Sequence, residues 1–356
     1  MAAVVRLRLS LLRACALALA ALAALAPAWP QSDDALPERL SGTGLYAPDS
    51  TAQLHADVLG FTPQYVLWSD GAAKRRWIRL PAGRAIDASA PDAWQFPPGT
   101  RLWKEFSHGG RRIETRYIER GRDGRWRYAA YVWNEQGDDA VLAPARAVTL
   151  AVREAPHGRY DVPGRADCTA CHEGTTTPVL GFSALQLSGD RDPLAAHAQV
   201  PQPDDIDLAA LVARGLVRNL PAALSQHAPR VQASAATERA ALGYLHANCG
   251  HCHNRSGEGA PVRLTLAQSA LDGRASRADT LAAAVGVSGR YRAAALAGDA
   301  ALIEPHAPER SVLVARMRSR QPHLQMPPLG TRIADDEGLA LVERWIHQLS
   351  PLEEMP

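Results

Sequence analysis

Two short stretches of the chain carry residues that can bind a redox cofactor. Each reads Cys-x-x-Cys-His, and the second lies 81 residues after the first. This is the signature of covalent c-type haem attachment: two thiols with a two-residue spacer match the two vinyl groups of a haem, and the histidine becomes the proximal iron ligand. We therefore predict two haem c groups, each with its iron. The predicted binding residues are Cys168, Cys171, His172, Cys249, Cys252 and His253.

Other uses of a Cys-x-x-Cys pair fit the sequence less well. A zinc ribbon separates its two pairs by roughly 15–20 residues, and the gap here is far wider. A thioredoxin-like redox pair opens a helix within a βαβ unit, and no such pattern surrounds either motif. The histidine that follows both pairs favours haem.

The scarcity of methionine narrows the search for a sixth iron ligand. Met1 and Met355 lie at the two ends of the chain, so only Met317 and Met326 remain. Met326 stands in a Met-Pro-Pro sequence 73 residues after His253, whereas Met317 lies in an apolar helical segment, where methionine is usually core filler. We predict that Met326 completes a His/Met pair with His253 and raises the potential of that haem.

The iron predicted above His172 has no matching methionine. His197 is one of the two free histidines nearest in sequence and is our candidate for the opposite ligand. An open sixth position, which would permit peroxide or oxygen chemistry, is the alternative. His246 and His251 flank the second motif and are interpreted as bystanders. The other candidate ligands are His55, His108, His157 and His227.

The N-terminal segment has the form of a secretory signal. Residues 1–28 combine three arginines, an apolar run and a small-x-small Ala26-Pro27-Ala28 site, as signal peptides do. The run is too short to span a bilayer, and a lipoprotein cysteine at Cys15 is a weaker alternative. Removing the segment shifts the formal charge from +2 to about −1, which gives no indication of nucleic-acid binding. We predict a periplasmic protein with no membrane span after cleavage.

Composition and periodicity divide the remainder into four parts. Residues 29–60 are turn-rich and predict a linker or loosely ordered arm. Residues 61–160 alternate with period two and hold six of the eight tryptophans, which predicts an antiparallel sheet with a hairpin turning at 121–124. Residues 161–232 contain the first haem motif, and residues 233–356 are helical and contain the second. Helices are predicted at 206–218, 238–247, 311–319 and 335–349.

The β-rich part offers two further hypotheses. Its acids could form a catalytic carboxylate pair, although acids on strands and in turns are usually solvated. Its hairpin is rich in arginine and could dock an acidic redox partner, although a charged solvent face is the simpler interpretation. The acids are Glu105, Glu114, Glu135, Asp138 and Asp139, and the arginines are Arg111, Arg112, Arg116, Arg120, Arg122, Arg125 and Arg127.

From 238 to 349 the order of helix, Cys-x-x-Cys-His, Met-Pro-Pro and aromatic-bearing last helix resembles class I c-type cytochromes. In that family the first and last helices cross, which implies that Ala241 and Leu245 meet Trp345. The mature chain is also similar to a bacterial family of dihaem c-type cytochromes with a β-rich N-terminal half. The matching stretches are 67–71, 96–100, 113–116, 131–135, 168–174 and 325–330. The resemblance implies an α+β multidomain fold, in which an antiparallel β-rich domain precedes an α-helical cytochrome c-like domain.

These observations predict an electron-transfer protein that acts between redox partners such as a small cytochrome, a cupredoxin, a dehydrogenase or a terminal oxidase. A second hypothesis is a peroxidase- or oxidase-like haem enzyme, an oxidoreductase in which the first haem is the catalytic centre and the second is an electron relay. A third makes the β-rich part a module that oxidises a small molecule or saccharide and passes electrons to the haems.

Overall fold

The structure is a computed structural model that describes residues 35–48, 50–256, 260, 262–289 and 300–349. The predicted signal peptide of residues 1–28 lies outside the described residues, as do Cys15 and Met355. All the elements below belong to one compact unit, Pro37–Pro356.

A six-stranded sheet organises the N-terminal half. Its strand order is β1-β2-β4-β5-β6-β7, and every pairing in it is antiparallel. Two small pairs accompany it, a parallel one of β3 with β10 and an antiparallel one of β8 with β9. The strands are β1 (Leu59–Gly60), β2 (Ala73–Arg79), β3 (Ile86–Asp87), β4 (Arg101–His108), β5 (Arg111–Arg120), β6 (Trp126–Trp133), β7 (Ala140–Leu142), β8 (Val148–Ala151), β9 (Arg159–Val162) and β10 (Val217–Arg218).

The predicted hairpin is confirmed as β5 and β6, which pair along seven successive positions. The turn closes where Gly121 donates its N–H to the carbonyl of Arg125 at 2.8 Å. Gly124 has a φ of +80°, a left-handed conformation that glycine adopts without steric cost. The period-two pattern and the glycine-rich turn together specify this hairpin.

The segment before β1, which includes residues 37–45, covers one face of the sheet. Leu40 and Leu45 are fully buried, the Trp103 indole N–H donates to the Thr43 hydroxyl at 2.9 Å, and the Tyr131 hydroxyl donates to the Pro37 carbonyl at 2.9 Å. Over its described residues this segment is therefore a packed layer, and not the loosely ordered arm that its turn-rich composition predicted.

Seven helices occur in the described residues, and four of them can be compared with predictions. Those at 238–247, 311–319 and 335–349 are confirmed to within two residues at each end. The prediction at 206–218 is wrong at its C-terminal end, since the helix stops at Ala213, Gly215 adopts a φ of +65°, and Val217 pairs with Ile86. The helices are α1 (Arg165–His172), α2 (Leu208–Ala213), α3 (Ala222–Gln226), α4 (Ala236–Asn248), α5 (Gly273–Ala284), α6 (Val312–Arg318) and α7 (Asp336–Gln348).

The helical half is built on contact between α4 and α7. Ala241, Leu245 and Trp345 share one buried cluster. The helices approach closely where Gly338 meets Tyr244: a Cβ at Gly338 would lie 2.3 Å from the Tyr244 ring. The Tyr244 hydroxyl donates to Asp335 at 2.9 Å, and Asp335 also caps α7 by accepting from the Gly338 N–H.

The fold class is thus mixed α+β with an antiparallel sheet. Of the helices described, none is both long enough and apolar enough to cross a membrane.

We expect Gly338→Ala to lower the free energy of unfolding by about 1–3 kcal/mol, because the added methyl group overpacks the contact with Tyr244. The matched control is Gly189→Ala, since Gly189 is exposed and a methyl group added there would meet nothing within 4 Å. Urea denaturation of both variants measures the effect. Equal stability of the two variants would contradict the close approach of α4 and α7.

Candidate functional site

The first motif occupies one face of a short helix. In α1, Cys168, Cys171 and His172 stand at positions i, i+3 and i+4, which project to the same side. The helix begins abruptly because Gly164 lies against the 145–147 backbone, where a Cβ would be 2.6 Å from the Ala147 nitrogen. The Asp167 carboxylate accepts the Gly164 N–H at 2.8 Å. The strand β9 ends just before it, so no long helix leads into this motif.

A backbone carbonyl orients the His172 ring. Its Nδ1 lies 2.6 Å from the carbonyl oxygen of Pro178, which is reached through the glycine- and threonine-rich loop after the motif. An Nδ1–H that donates to this carbonyl leaves Nε2 as the free nitrogen, the arrangement usual for a metal-binding histidine. Burial lowers the pKa of His172 to about 4, although the Pro178 hydrogen bond opposes the shift. The ring is therefore neutral at pH 7, which is the form that binds iron.

The second motif continues from the C-terminus of α4. Cys249 ends the helix, and its carbonyl accepts the N–H of His253 at 2.8 Å. The His253 carbonyl then accepts from Leu266 at 2.8 Å. The ring Nδ1 of His253 is buried and has no hydrogen-bond partner among the described residues.

One buried amide fastens the second motif to the strand-rich half. Asn248, the residue before Cys249, accepts the backbone N–H of Trp68 at 2.8 Å through its side-chain oxygen. Its amide nitrogen donates to the carbonyls of Val66 at 3.1 Å and Tyr244 at 3.0 Å. Three hydrogen bonds satisfy a side chain that is 7% exposed, as a buried amide requires.

The fold brings the two motifs together. The amide nitrogen of Asn254, directly after the second motif, donates to the carbonyl of Gly174 at 2.9 Å and to that of His251 at 3.1 Å. Burial raises the pKa of Cys171 to about 11, and the nearby Cys252 adds to the shift. We call the region formed by the two motifs and Asn254 the paired-motif site. The described cysteines, which are those of the motifs, are all free thiols.

His251 belongs to this region as well, a position that sequence reasoning missed. Burial lowers its pKa to about 4, and the neighbouring rings of His172 and His253 lower it further. Its Nδ1 is buried without a hydrogen-bond partner in the described part of the chain. His251 was interpreted as a bystander because the sequence carried no sign that the other motif faces it.

Met326 lies on a loop held by arginines. Its N–H donates to the Arg316 carbonyl at 3.0 Å, and the Arg320 guanidinium donates to the carbonyls of Met317 and Met326. Burial lowers the pKa of His253, and the charge of Arg316 lowers it further, so Met326 and His253 share Arg316 as a neighbour. Met317, by contrast, is buried in the helical core. Met326 as the ligand opposite His253 stays a prediction that this placement favours.

His197 faces carboxylates. Its Nε2 lies 2.7 Å from Asp335, and its Nδ1 lies 3.2 Å from Glu337. Both ring nitrogens are thus engaged at the start of α7, which does not favour the predicted ligand role.

The other candidate histidines lie elsewhere in the structure. His157 and His227 are exposed, and His55 contacts Asp57. His108 is buried, and its ring packs edge-on against Tyr160.

The sheet face toward α1 carries buried charge, contrary to the expectation of solvated acids. Glu114 is fully buried; it accepts from Arg116 at 2.9 Å and from the Tyr160 hydroxyl at 2.7 Å. On the opposite face Glu105 is also buried, and burial raises its pKa. The expectation was wrong for these two acids because further layers of chain cover both faces of the sheet. Glu135 and Asp138 are exposed.

Several arginines of the hairpin are engaged inside the molecule. Arg116 pairs with Glu114, Arg120 donates to the Phe96 carbonyl, and Arg112 lies 3.6 Å from the centre of the Trp133 ring. These contacts reduce the basic surface that the sequence suggested as a docking face.

No known protein family, curated protein or solved structure matches this chain. Within the residues described, no group of three or more histidine, cysteine, aspartate or glutamate side chains is arranged to hold a metal ion by itself.

We expect Asn248→Leu to lower the free energy of unfolding by about 2–4 kcal/mol, since it leaves the half-buried Trp68 N–H and the buried Val66 carbonyl without partners. Urea denaturation measures the change. Gln202→Ala is the control, because Gln202 is exposed and such surface changes stay within about 0.5 kcal/mol. A loss in Asn248→Leu no larger than in this control would show that the amide does not hold the second motif.

Proposed function

We propose that this protein is a periplasmic dihaem c-type cytochrome that transfers electrons between redox partners. The observation that carries the proposal is the adjacency of the two Cys-x-x-Cys-His motifs, which the Asn254 to Gly174 hydrogen bond joins at 2.9 Å. Electron exchange between two cofactors weakens steeply with distance, so two attachment sites in contact suit a short relay. A haem supplies reversible one-electron chemistry when it is bound.

The residues of the paired-motif site fit the proposed cofactor. Each free thiol pair has the spacing for thioether bonds, and burial favours the uncharged thiol, since it raises the pKa of Cys249 to about 12. His172 keeps Nε2 available because Nδ1 is directed at Pro178. His253 has a buried Nδ1 and stands at the corresponding position of its motif. In this proposal Met326 and His253 would together hold the iron of the second haem, and no residue besides His172 is assigned to hold the iron of the first.

The packing of the helical half supports a cytochrome c-like domain in residues 233–356. Helices α4 and α7 meet through Ala241, Leu245 and Trp345, as the resemblance to class I cytochromes implies. The order of helix, motif, methionine loop and closing helix agrees with the same resemblance. The β-rich half before it agrees with the dihaem family of similar layout.

The proposed cofactor implies that the protein is exported and that it exchanges electrons with a redox partner. Covalent haem attachment takes place outside the bacterial cytoplasm, and residues 1–28 have the form of a signal peptide. We propose a small cytochrome, a cupredoxin, a dehydrogenase or a terminal oxidase as the redox partner.

The decisive experiment is production of the exported protein together with a working haem-ligation system, followed by intact mass measurement. We expect the mass of two covalently attached haems, and only one in the Cys168→Ala/Cys171→Ala variant. A colourless protein, or one that contains zinc in place of iron, would overturn the proposal.

A second candidate function is a peroxidase- or oxidase-like oxidoreductase with the first haem as the catalytic centre. The observation that favours it is the engagement of both His197 nitrogens by carboxylates, so that His172 would hold the iron of the first haem with no second residue assigned. Electron paramagnetic resonance separates the two functions. Two low-spin ferric centres indicate electron transfer alone, whereas high-spin ferric signal from half of the iron indicates an open, catalytic site.

Met326→Ala should lower the reduction potential of one haem by on the order of 0.1 V or more, because loss of the thioether removes a ligand that favours ferrous iron. The potential of the other haem should stay nearly unchanged. Spectroelectrochemical titration measures both, with Met317→Leu as the control. Equal shifts of both haems, or a shift caused by Met317→Leu in place of Met326→Ala, would refute the ligand assignment.

A further inference from the structure

Four basic side chains lie together on the sheet face that is turned toward the first motif. The strand register places Arg76, Lys104 and Arg116 directly opposite one another on β2, β4 and β5. Lys74 stands two residues before Arg76 and so points to the same face. We call these four residues the cation row. Lys74 and Lys104 are the only two lysines among the 39 basic residues of the chain.

The cation row is short of negative charge. Like charges directly opposite across a sheet destabilise it, and burial adds a desolvation cost. Lys74 and Arg76 are buried. Burial lowers the pKa of Lys104 well below its usual range, and the charges of Arg76, Lys74 and Arg116 lower it further.

The partners of the cation row are mostly uncharged. Arg76 donates to the Gln199 side chain at 2.7 Å, and Lys74 donates to the Ala72 carbonyl at 3.1 Å. The Lys104 ammonium lies 5.1 Å from the centre of the Phe106 ring.

Carboxylates contribute little to the cation row. Glu114 is the one carboxylate that forms an ion pair with the row among the described residues, and its partner is Arg116. Asp70, Asp205 and Asp335 act on the row only at longer range.

The cation row lies beside the first motif. The charge of Arg116 lowers the pKa values of Cys168 and Cys171, although burial raises both overall. Lys104 and Arg116 both contribute to the low pKa of His172. On the neighbouring strand β6, the Tyr128 ring centre lies 5.4 Å from that of His172. A group attached to α1 and spread over the sheet would therefore meet the row.

We propose that the cation row binds the two propionate carboxylates of the haem attached at Cys168 and Cys171. Those carboxylates and Glu114 bring three negative charges to four cations, and each ammonium or guanidinium gains a charge-assisted hydrogen-bond acceptor. The inference rests on the proposed function, since it requires a haem at the first motif. It assigns to the β-rich half the role of binding the carboxylates of that haem through ion pairs.

Because the chain contains only two lysines, amine acetylation followed by peptide mass spectrometry reports directly on the cation row. In the holoprotein we expect Lys74 and Lys104 to resist N-hydroxysuccinimidyl acetate. In the Cys168→Ala/Cys171→Ala variant the half-buried Lys104 should become acetylated, whereas Lys74 should stay protected because it is buried without a haem as well. The matched control is Cys249→Ala/Cys252→Ala, which lacks the second haem and should keep both lysines protected.

The labelling outcomes separate the inference from the function on which it rests. If intact mass shows no attached haem, the proposed function fails. If both haems are attached and Lys104 reacts as readily as in the variant without the first haem, only the cation-row inference is overturned. Equal reactivity in the two double-alanine variants would also overturn it, because general loosening would then explain the exposure.

A second measurement does not depend on accessibility. Lys104→Met removes a positive charge beside the first haem and should shift its reduction equilibrium toward the ferric state by about tenfold, or ~59 mV for one electron. Lys104→Arg should retain the original potential. Arg84→Met, which removes the same charge from an exposed loop residue, should change neither haem. No shift in Lys104→Met, or equal shifts of both haems, would overturn the assignment.

Free anions are the other source of carboxylate chemistry for this site. Sodium acetate or formate is titrated into the wild-type holoprotein while the haem absorption is recorded at constant ionic strength. We expect no saturable change, because the propionates already occupy the cation row. A saturable change that disappears in Lys104→Met would overturn the proposal and identify the row as a site for anions from solution.

Discussion

The position of the second motif depends on the buried side chain of Asn248. Its three hydrogen bonds reach the backbone of residues 66 and 68 and the helix α4 itself. A buried amide without these partners would cost several kilocalories per mole, so α4 has essentially one stable way to end. Because Cys249 follows Asn248 directly, the same bonds set where the second motif lies relative to the strand-rich half. The contact of Asn254 with Gly174 then connects that motif to the first.

The interior around the paired-motif site combines neutral histidines with positively charged side chains. The histidines are held neutral by burial, which suits them as ligands. The cations of the neighbouring sheet face are also removed from water, at a cost that Glu114 offsets only in part. The proposed haem would satisfy both conditions, since its ring would cover the apolar surface and its carboxylates would pair with the cations. The electrostatics of the sheet and the chemistry of the motifs therefore indicate the same kind of ligand.

The two candidate functions differ in one physical respect, which is the group opposite His172. A second strong ligand there would make both centres low-spin relays, whereas an open position would admit a small substrate. His197 is directed at Asp335 and Glu337, while His251 lies near His172 and His253. Within the proposed function, local chain geometry at these histidines, rather than the fold as a whole, would decide between transfer and catalysis.

The sequence alone was sufficient for several of the regular elements, and the haem chemistry that it predicts stays a proposal. The Cys-x-x-Cys-His spacing is a local property, because the five residues lie in one turn and need no distant partner. The β5–β6 hairpin and the helices α4, α6 and α7 follow from periodicity and turn residues, which are local as well. The cytochrome c-like arrangement of residues 233–356 stays a proposal, although α4 and α7 do pack together.

The tertiary structure decided what depends on residues far apart in the chain. It packed residues 40–46 against the sheet, shortened α2 through the pairing of Val217 with Ile86, and buried Glu114 beneath the first motif. It also brought together two motifs that are 81 residues apart in the sequence. An alternating strand pattern cannot reveal that both faces are covered, because burial of the polar face depends on which distant segment packs there. For the same reason, a row of opposed cations becomes visible only when the strand register is known.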